Sequence, residues 1–291
     1  MIYKNPIRIL FLFVALTILS ACSKEKAEAI KIAAENFRSD AVLAIDKINE
    51  LFDQNISVAK FSDKKIEKII SDLEGLDSSE TAMNSEILDE WSKEEHIGDA
   101  SMAIHKEEFR KIKKRFTTFE AMFTNLEKGS YFAKDAVKKA EKYAINLSLD
   151  LIHYSKTIKD NPFKNMSERV LIIERIEEAR LEENKKFQKV LRENVAKDII
   201  ALEIRETKLK EEAIRQCLIA ADRGKIVAEL IKDYDKLNVE DILNIVKTSM
   251  NYGVDITGNK NIGDLLTKFE GVETEIRNDP YWKVIIDQQI N

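Results

Sequence analysis

The chain has 291 residues, of which 44% are hydrophobic and 34% charged, with a formal net charge of −5. That length can bury a substantial core, and two cysteines are too few for a disulfide-stapled scaffold. A mild acidic excess excludes the strongly basic footprint by which nucleic-acid-binding proteins usually hold phosphate.

At the N-terminus, Lys4 and Arg8 precede an apolar run from Ile9 to Leu19 that only Thr17 interrupts. The run is shorter than the roughly 20 apolar residues of a transmembrane helix. It fits the central region of a secretory signal, typically about 7–15 residues. Leu19-Ser20-Ala21-Cys22 follows at once. This tetrapeptide, behind a charged and then an apolar region, resembles the lipobox of bacterial prolipoproteins, and the resemblance covers residues 1–22. It implies recognition of Leu19, Ser20 and Ala21 by the lipoprotein signal peptidase, cleavage between Ala21 and Cys22, and a diacylglycerol on the Cys22 sulfur. Acylation of the new Cys22 amine follows in many bacteria. Two or more acyl chains hold a protein stably on a membrane where one is marginal. The resemblance therefore predicts a protein of the cell envelope whose partners are the membrane, through its lipid, and another envelope protein. Ser23, where Asp would resemble an inner-membrane retention signal, points to the outer membrane, facing the periplasm, in a two-membrane cell.

Loss of residues 1–21 removes Lys4 and Arg8 but no acid, leaving 45 basic and 52 acidic residues and a formal charge of −7. Export and acidity argue together against a nucleic-acid partner. With Cys22 spent on lipid, Cys217 has no intramolecular disulfide partner.

Glycine and proline number only eight and three, and residues 23–74, 130–161 and 163–223 contain neither. Breaker-free stretches rich in Ala, Leu, Glu and Lys read as helix. Ile30, Ala34, Phe37, Ala41, Ala44, Ile48 and Leu51 step by four and three, which predicts one buried stripe along a first helix. Only Ser23–Lys26 separate Cys22 from that stripe. As an extended spacer they reach roughly 14 Å, so the folded body should sit close to its membrane. Lys24 and Lys26 are either headgroup contacts or ordinary solvated lysines. Ser62 is a cap for a shorter helix carrying Ile66, Ile69, Ile70 and Leu73, ended by Gly75.

Phe109, Ile112, Phe116, Phe119, Phe123 and Leu126 make the next stripe, stopped near Gly129, and Ala136, Ala140, Tyr143, Leu147, Leu151, Tyr154 and Ile158 make another. Asp160-Asn161-Pro162 predicts a turn. Ser167–Arg223 is the longest candidate, with apolar positions from Ile172 through Ile176, Ala179, Phe187, Leu191, Ile199, Leu202, Leu209 and Ala213 to Cys217. As one helix it would run roughly 85 Å, so a kink or break is the alternative. It carries 13 basic and 13 acidic residues, which predicts solvated faces laced by Glu182–Lys186, Glu193–Lys197, Glu206–Lys210 and Glu211–Arg215.

Five of the eight glycines fall after Arg223. Shorter helices are predicted at 225–236, 239–252, 262–277 and 281–290, with Asn238 and Asp241 as a capped start. These residues form either a small subdomain or a cap on the bundle, and the cap is favoured because so short a piece has a small core.

Catalytic signatures are sparse. His96 with Asp99 and His105 with Glu108 have i,i+3 spacing, but a metal site needs further convergent ligands. No His-Glu-x-x-His or Glu-x-x-His pair occurs, so His96, His105 and His153 read as surface or capping residues and no metal is assigned. Residues 255–264 superficially resemble a calcium loop. Lys260 replaces the turn glycine and Leu266 the final bidentate acid, so the stretch reads as a polar interhelical loop. Cys217 lies on an apolar stripe without an identifiable histidine and reads as a buried, inert thiol, an intermolecular disulfide being the alternative. Glu94 and Glu95 form no recognisable catalytic pair. Trp91, Phe109, Phe116, Phe119 and Phe123 line either core or an apolar ligand cavity, and core is favoured. No cofactor fingerprint or catalytic residue is assigned.

The sequence thus predicts an all-α, elongated bundle of long amphipathic helices with shorter C-terminal helices. Its parts are a signal peptide over 1–21, a lipidated tether over 22–26, a long-helix bundle over 27–223 and a C-terminal subdomain or cap over 224–291. The expected function is a non-enzymatic, membrane-anchored interaction or scaffold protein. The alternative is a bundle that encloses a small apolar ligand or lipid.

Overall fold

The computed structural model describes residues 6–55, 99–129, 134–161, 163, 165–259 and 261–287, and these are all-α, with no strand among them. The helices are α1 (Pro6–Asn55), α2 (Asp99–Gly129), α3 (Lys134–Asp160), α4 (Met166–Leu181), α5 (Lys185–Lys232), α6 (Val239–Gly258), α7 (Ile262–Asn278) and α8 (Pro280–Asp287). The predicted helix over Ser62–Gly75 lies outside the described residues.

The chain divides into two compact units, each assembled from separate stretches. Unit 1 takes Met1–Ala44, Glu108–Ser155 and Arg215–Asn291, and unit 2 takes Ile45–Glu107 and Lys156–Ile214. The expected division at 223/224 falls inside α5, which runs unbroken past Gly224. Residues after 224 share the unit 1 core, with Leu230, Phe269, Ile276 and Trp282 buried there.

In unit 1 every predicted α1 position from Ile30 to Ala44 is buried. Phe37 meets Phe119 of α2 edge-on, with ring centroids 4.8 Å apart. Such a pair contributes about 0.5–1.5 kcal/mol beyond the area it buries. Helix α3 is enclosed by its neighbours, because Ala144 to Leu149 is buried without interruption. Two rows produce this. Ala140, Ala144, Leu147, Leu151 and Tyr154 form one, and Glu141, Ile145, Ser148, Ile152 and Ser155 the other. A helix apolar on most of its circumference belongs in an interior, where Ser148 and Ser155 satisfy their hydroxyls on backbone carbonyls four residues back.

Contacts along α5 set its direction against α1. Tyr234, just beyond α5, meets Lys26, Arg223 bonds Asp40 at 3.1 Å, and Gln216 reaches the Asp40 carbonyl at 3.3 Å. The two helices are therefore antiparallel. At Gly224 the packing is tight: a Cβ would overlap Ser148 Oγ and lie 2.9 Å from the Phe37 ring. Helix α6 opens with the predicted capping box of Asn238 and Asp241 and runs back beside α5, until Arg215 donates to the carbonyls of Ile256 and Asn259. It continues through Gly253, which marks close packing and no helix end. A Cβ there would lie 2.8 Å from an Arg223 guanidinium nitrogen.

Unit 2 contains the break left open in the long candidate helix. Leu181 ends α4, Glu182–Asn184 form a connection, and α5 starts at Lys185. Asn184 Oδ1 accepts from the backbone N–H groups of Lys186 and Phe187, a side-chain cap for orphan donors. The expected Glu182–Lys186 pair consequently spans a connection instead of a helix face. Helix α4 lies antiparallel to α5, as Glu168–Arg205 and Arg175–Asp198 show. The predicted positions Ile172, Ile176, Ala179, Ile199 and Leu202 are buried, but Phe187 is 53% exposed beside the connection.

Candidate functional site

The residues singled out by the N-terminal pattern, Leu19, Ser20, Ala21 and Cys22, all fall on α1. The helix passes through Ser23–Lys26 without interruption, so the expected extended spacer is helical. Lys26 is engaged by the protein: its Nζ lies 3.4 Å from the Tyr234 carbonyl oxygen and 5.4 Å from the ring centroid. Among the described residues no helix is long and apolar enough to cross a membrane.

His96, Glu94, Glu95 and Trp91 lie outside the described residues. His153 is exposed, as a surface reading requires. His105 departs from that reading. It is buried, its ring lies 5.8 Å from that of Phe163, and neither ring nitrogen has a hydrogen-bond partner. The periodicity missed it because a histidine at a stripe position carries no apolar signal. No group of three or more His, Cys, Asp or Glu among the described residues is arranged to hold a metal ion.

The stretch 255–264, expected as a polar interhelical loop, is largely helical, since α6 runs to Gly258 and α7 starts at Ile262. The Asn259 N–H returns to the Asp255 carbonyl at 3.0 Å, and Asn261 Oδ1 caps α7 by accepting from the Asp264 N–H at 3.2 Å. Cys217 is fully buried, and burial pushes its thiol up to about 12, against a smaller lowering influence of Ser155. A thiol so placed is protonated and unreactive at neutral pH. Phe109, Phe116 and Phe119 are core, as favoured.

Unit 1 carries a cleft of about 230 Å³ where the ends of α5 and α7 meet α8. Leu230, Ile276 and Trp282 floor it, and charged residues form its rim. Lys225 Nζ lies 3.2 Å from Glu229 and 3.3 Å from Glu275, and Lys232 Nζ lies 2.7 Å from Asp279. Lys232 also sits 4.9 Å from the Tyr281 ring centroid and 5.0 Å from that of Trp282, which ties α8 down by cation–π attraction. The lining holds no serine, cysteine or histidine, and its lysines are paired with its carboxylates, Lys225 with Glu229 and Glu275 and Lys232 with Asp279. Its volume is below the roughly 300–1,000 Å³ of ordinary ligand pockets, and its charged rim is mismatched to an apolar ligand.

Beneath the cleft's Lys232 is a buried carboxyl. Glu141 is 1% exposed; Oε2 accepts from the Tyr281 hydroxyl at 3.0 Å and Oε1 has no partner. Burial raises its pKa to about 7, against smaller lowering influences from the Tyr281 hydrogen bond, Lys232 and Lys138 and a further raising one from Asp233. Tyr281 is pushed up to about 12, first by burial and then by its bond to Glu141.

Two further charged networks differ from the pairs expected from the sequence. Arg223 connects Asp40 with Ser249, whose hydroxyl donates to Asp222 at 3.1 Å, and burial raises the Asp222 carboxyl above its usual range. In unit 2 the buried Arg169 and Glu206 pair at 2.7 Å, with Glu203 also on the guanidinium at 2.6 Å. The solvated face expected at Glu206 and Lys210 is corrected in one respect: Glu206 is buried, and Lys210 also donates to the Asn161 carbonyl at 2.9 Å. A signal existed, since Ile199, Leu202, Glu206 and Ala213 share one helical row, and Arg169, Ile172, Ile176 and Ala179 share another.

No protein-family model, curated protein or solved structure matches this chain. Fold and site geometry define it as an all-α protein of two compact units.

Proposed function

We propose that the mature chain is a lipid-anchored protein of the bacterial cell envelope that works by helix-mediated contact with another envelope component, without catalysis. The observation that carries this reading is the ordered match of Leu19-Ser20-Ala21-Cys22 behind Lys4, Arg8 and the apolar run Ile9–Leu19. With Ser23 next to the lipidated cysteine, the anchor belongs in the outer membrane of a two-membrane cell.

Exposed apolar side chains support the contact role. On α6, Leu243, Met250 and Val254 recur at i, i+7 and i+11 and are 47%, 51% and 71% exposed. That spacing places them in one stripe beside the buried face of Ile242, Val246, Ser249, Gly253 and Ile256. Single exposed apolar residues are ordinary, whereas a row on one helix face is a candidate contact.

Cys22→Ala should abolish acyl labelling in cells and leave the precursor uncleaved by the lipoprotein peptidase. Persistent labelling would overturn the anchor. A photo-crosslinking residue at Met250 in intact cells should give a discrete adduct with one envelope protein, absent when the probe stands at exposed Asn251. Recovery of the monomer alone under several growth conditions would count against the contact role.

A further inference from the structure

Unit 1 has two ends, and its contacts assign residues to each. One end holds Lys26, the Tyr234–Asn238 turn and the start of α8, because Lys26 meets Tyr234 and Lys232 meets Asp279. At the other end Arg215 closes on Ile256 and Asn259, beside the Asn259–Asn261 connection. Helix α6 joins the ends, and its 20 residues span about 30 Å.

Resting on the lipid-anchor reading, we infer that the Lys26–Tyr234 end of unit 1 is its membrane face. It seats against lipid headgroups, while the Asn259–Asn261 connection is held about 30 Å off the bilayer. The step that fixes this orientation is the helical continuity of α1 through Ser23–Lys26. Four helical residues rise only about 6 Å. A headgroup layer is itself about 5–7 Å thick on each side of the hydrocarbon. An acylated Cys22 therefore brings Lys26, and with it Tyr234, to the headgroup level. The extended spacer read from the sequence leaves any face of the body free to approach; a helix merged with the unit 1 core does not.

The chemistry of this end suits that neighbour. Glu25, Lys138, Lys139, Asp235 and Lys236 are exposed, a mixture of signs that matches zwitterionic headgroups better than a strongly anionic surface. Tyr281, 40% exposed, adds an aromatic ring of the amphipathic kind found at membrane interfaces.

The test uses full-length mature protein, acylated in cells and reconstituted in phosphatidylethanolamine–phosphatidylcholine vesicles whose headgroups carry a nitroxide quencher. Bimane is attached to Lys236→Cys or to Asn261→Cys. Both positions are exposed, and buried Cys217 does not compete for the label. Quenching should be at least threefold stronger at position 236 than at 261, with unchanged helical circular dichroism in both variants. Equal quenching in chains whose mass shows acylated Cys22, or stronger quenching at 261, overturns the orientation and leaves the anchor standing. Chains lacking acyl mass on Cys22 overturn the anchor reading and this inference with it.

Discussion

Glu141 and Tyr281 stand 140 residues apart in the chain, and their side chains meet at 3.0 Å inside unit 1. The bond joins the first turns of α3 to the short terminal helix α8, with Trp282 buried alongside. Because folding raises the Glu141 carboxyl from its usual value to about 7, the native state binds this proton more tightly than the unfolded chain. Its stabilising contribution is thus fully present below pH 4.5 and is lost as pH rises towards 7, an effect on the order of 3 kcal/mol. Glu141→Gln keeps an acceptor for Tyr281 and removes the charge. Urea denaturation of this variant should show higher stability than the parent at pH 8, and little difference at pH 4.5. A lower stability at pH 8 would refute the assignment.

The Arg169–Glu206 pair gives a second prediction. Removing one buried partner takes the counter-charge from the other, a loss of about 3–5 kcal/mol, whereas replacing both by apolar residues is often near neutral. Arg169→Met should lower the urea midpoint sharply, and Arg169→Met with Glu206→Leu should recover most of it. An Arg169→Met variant as stable as the parent would show that the pair is not buried in solution.

Gly224 is a packing glycine. Gly224→Ala drives a methyl into Ser148 Oγ and the Phe37 ring, with an expected loss of about 1–3 kcal/mol. Combining it with Ser148→Ala should restore part of this, because one of the two clashes is relieved. Strictly additive losses across that double-mutant cycle would argue against the close approach of α5 to α3 and α1.

Cys217 supplies a reporter. Its thiol is fully buried and pushed up to about 12, so an aromatic disulfide reagent should modify it only when the protein opens. Its modification rate should rise with urea in parallel with global unfolding measured by circular dichroism. Rapid modification without denaturant would place the thiol at the surface and restore the intermolecular-disulfide alternative.

Helical class and the core stripes were legible in the sequence, because a 3.6-residue period in a chain nearly free of glycine and proline has one economical structural solution. Ile30 to Leu51 shows this: each position in the stripe is buried. The proposed anchor rests on a local pattern alone, the contiguous residues Leu19 to Cys22. Helix pairing was not legible. Asn184 is a cap visible in retrospect, yet a polar residue in a charge-rich run gives no warning that α5 folds back on α4. Nor does Gly253 disclose that it lies inside a helix against Arg223.

What sequence alone determined is what depends on neighbours along the chain: helix, stripe and cap. Tertiary structure decided the fate of the charges. Glu206 looks like one carboxylate on a solvated helix face, yet packing against α4 buries it with Arg169. Glu141 likewise looks like one carboxylate among 52 acidic residues, and only the arrival of α8 encloses it. A charge's environment is set by which distant surfaces cover it, and that information is absent from any local window.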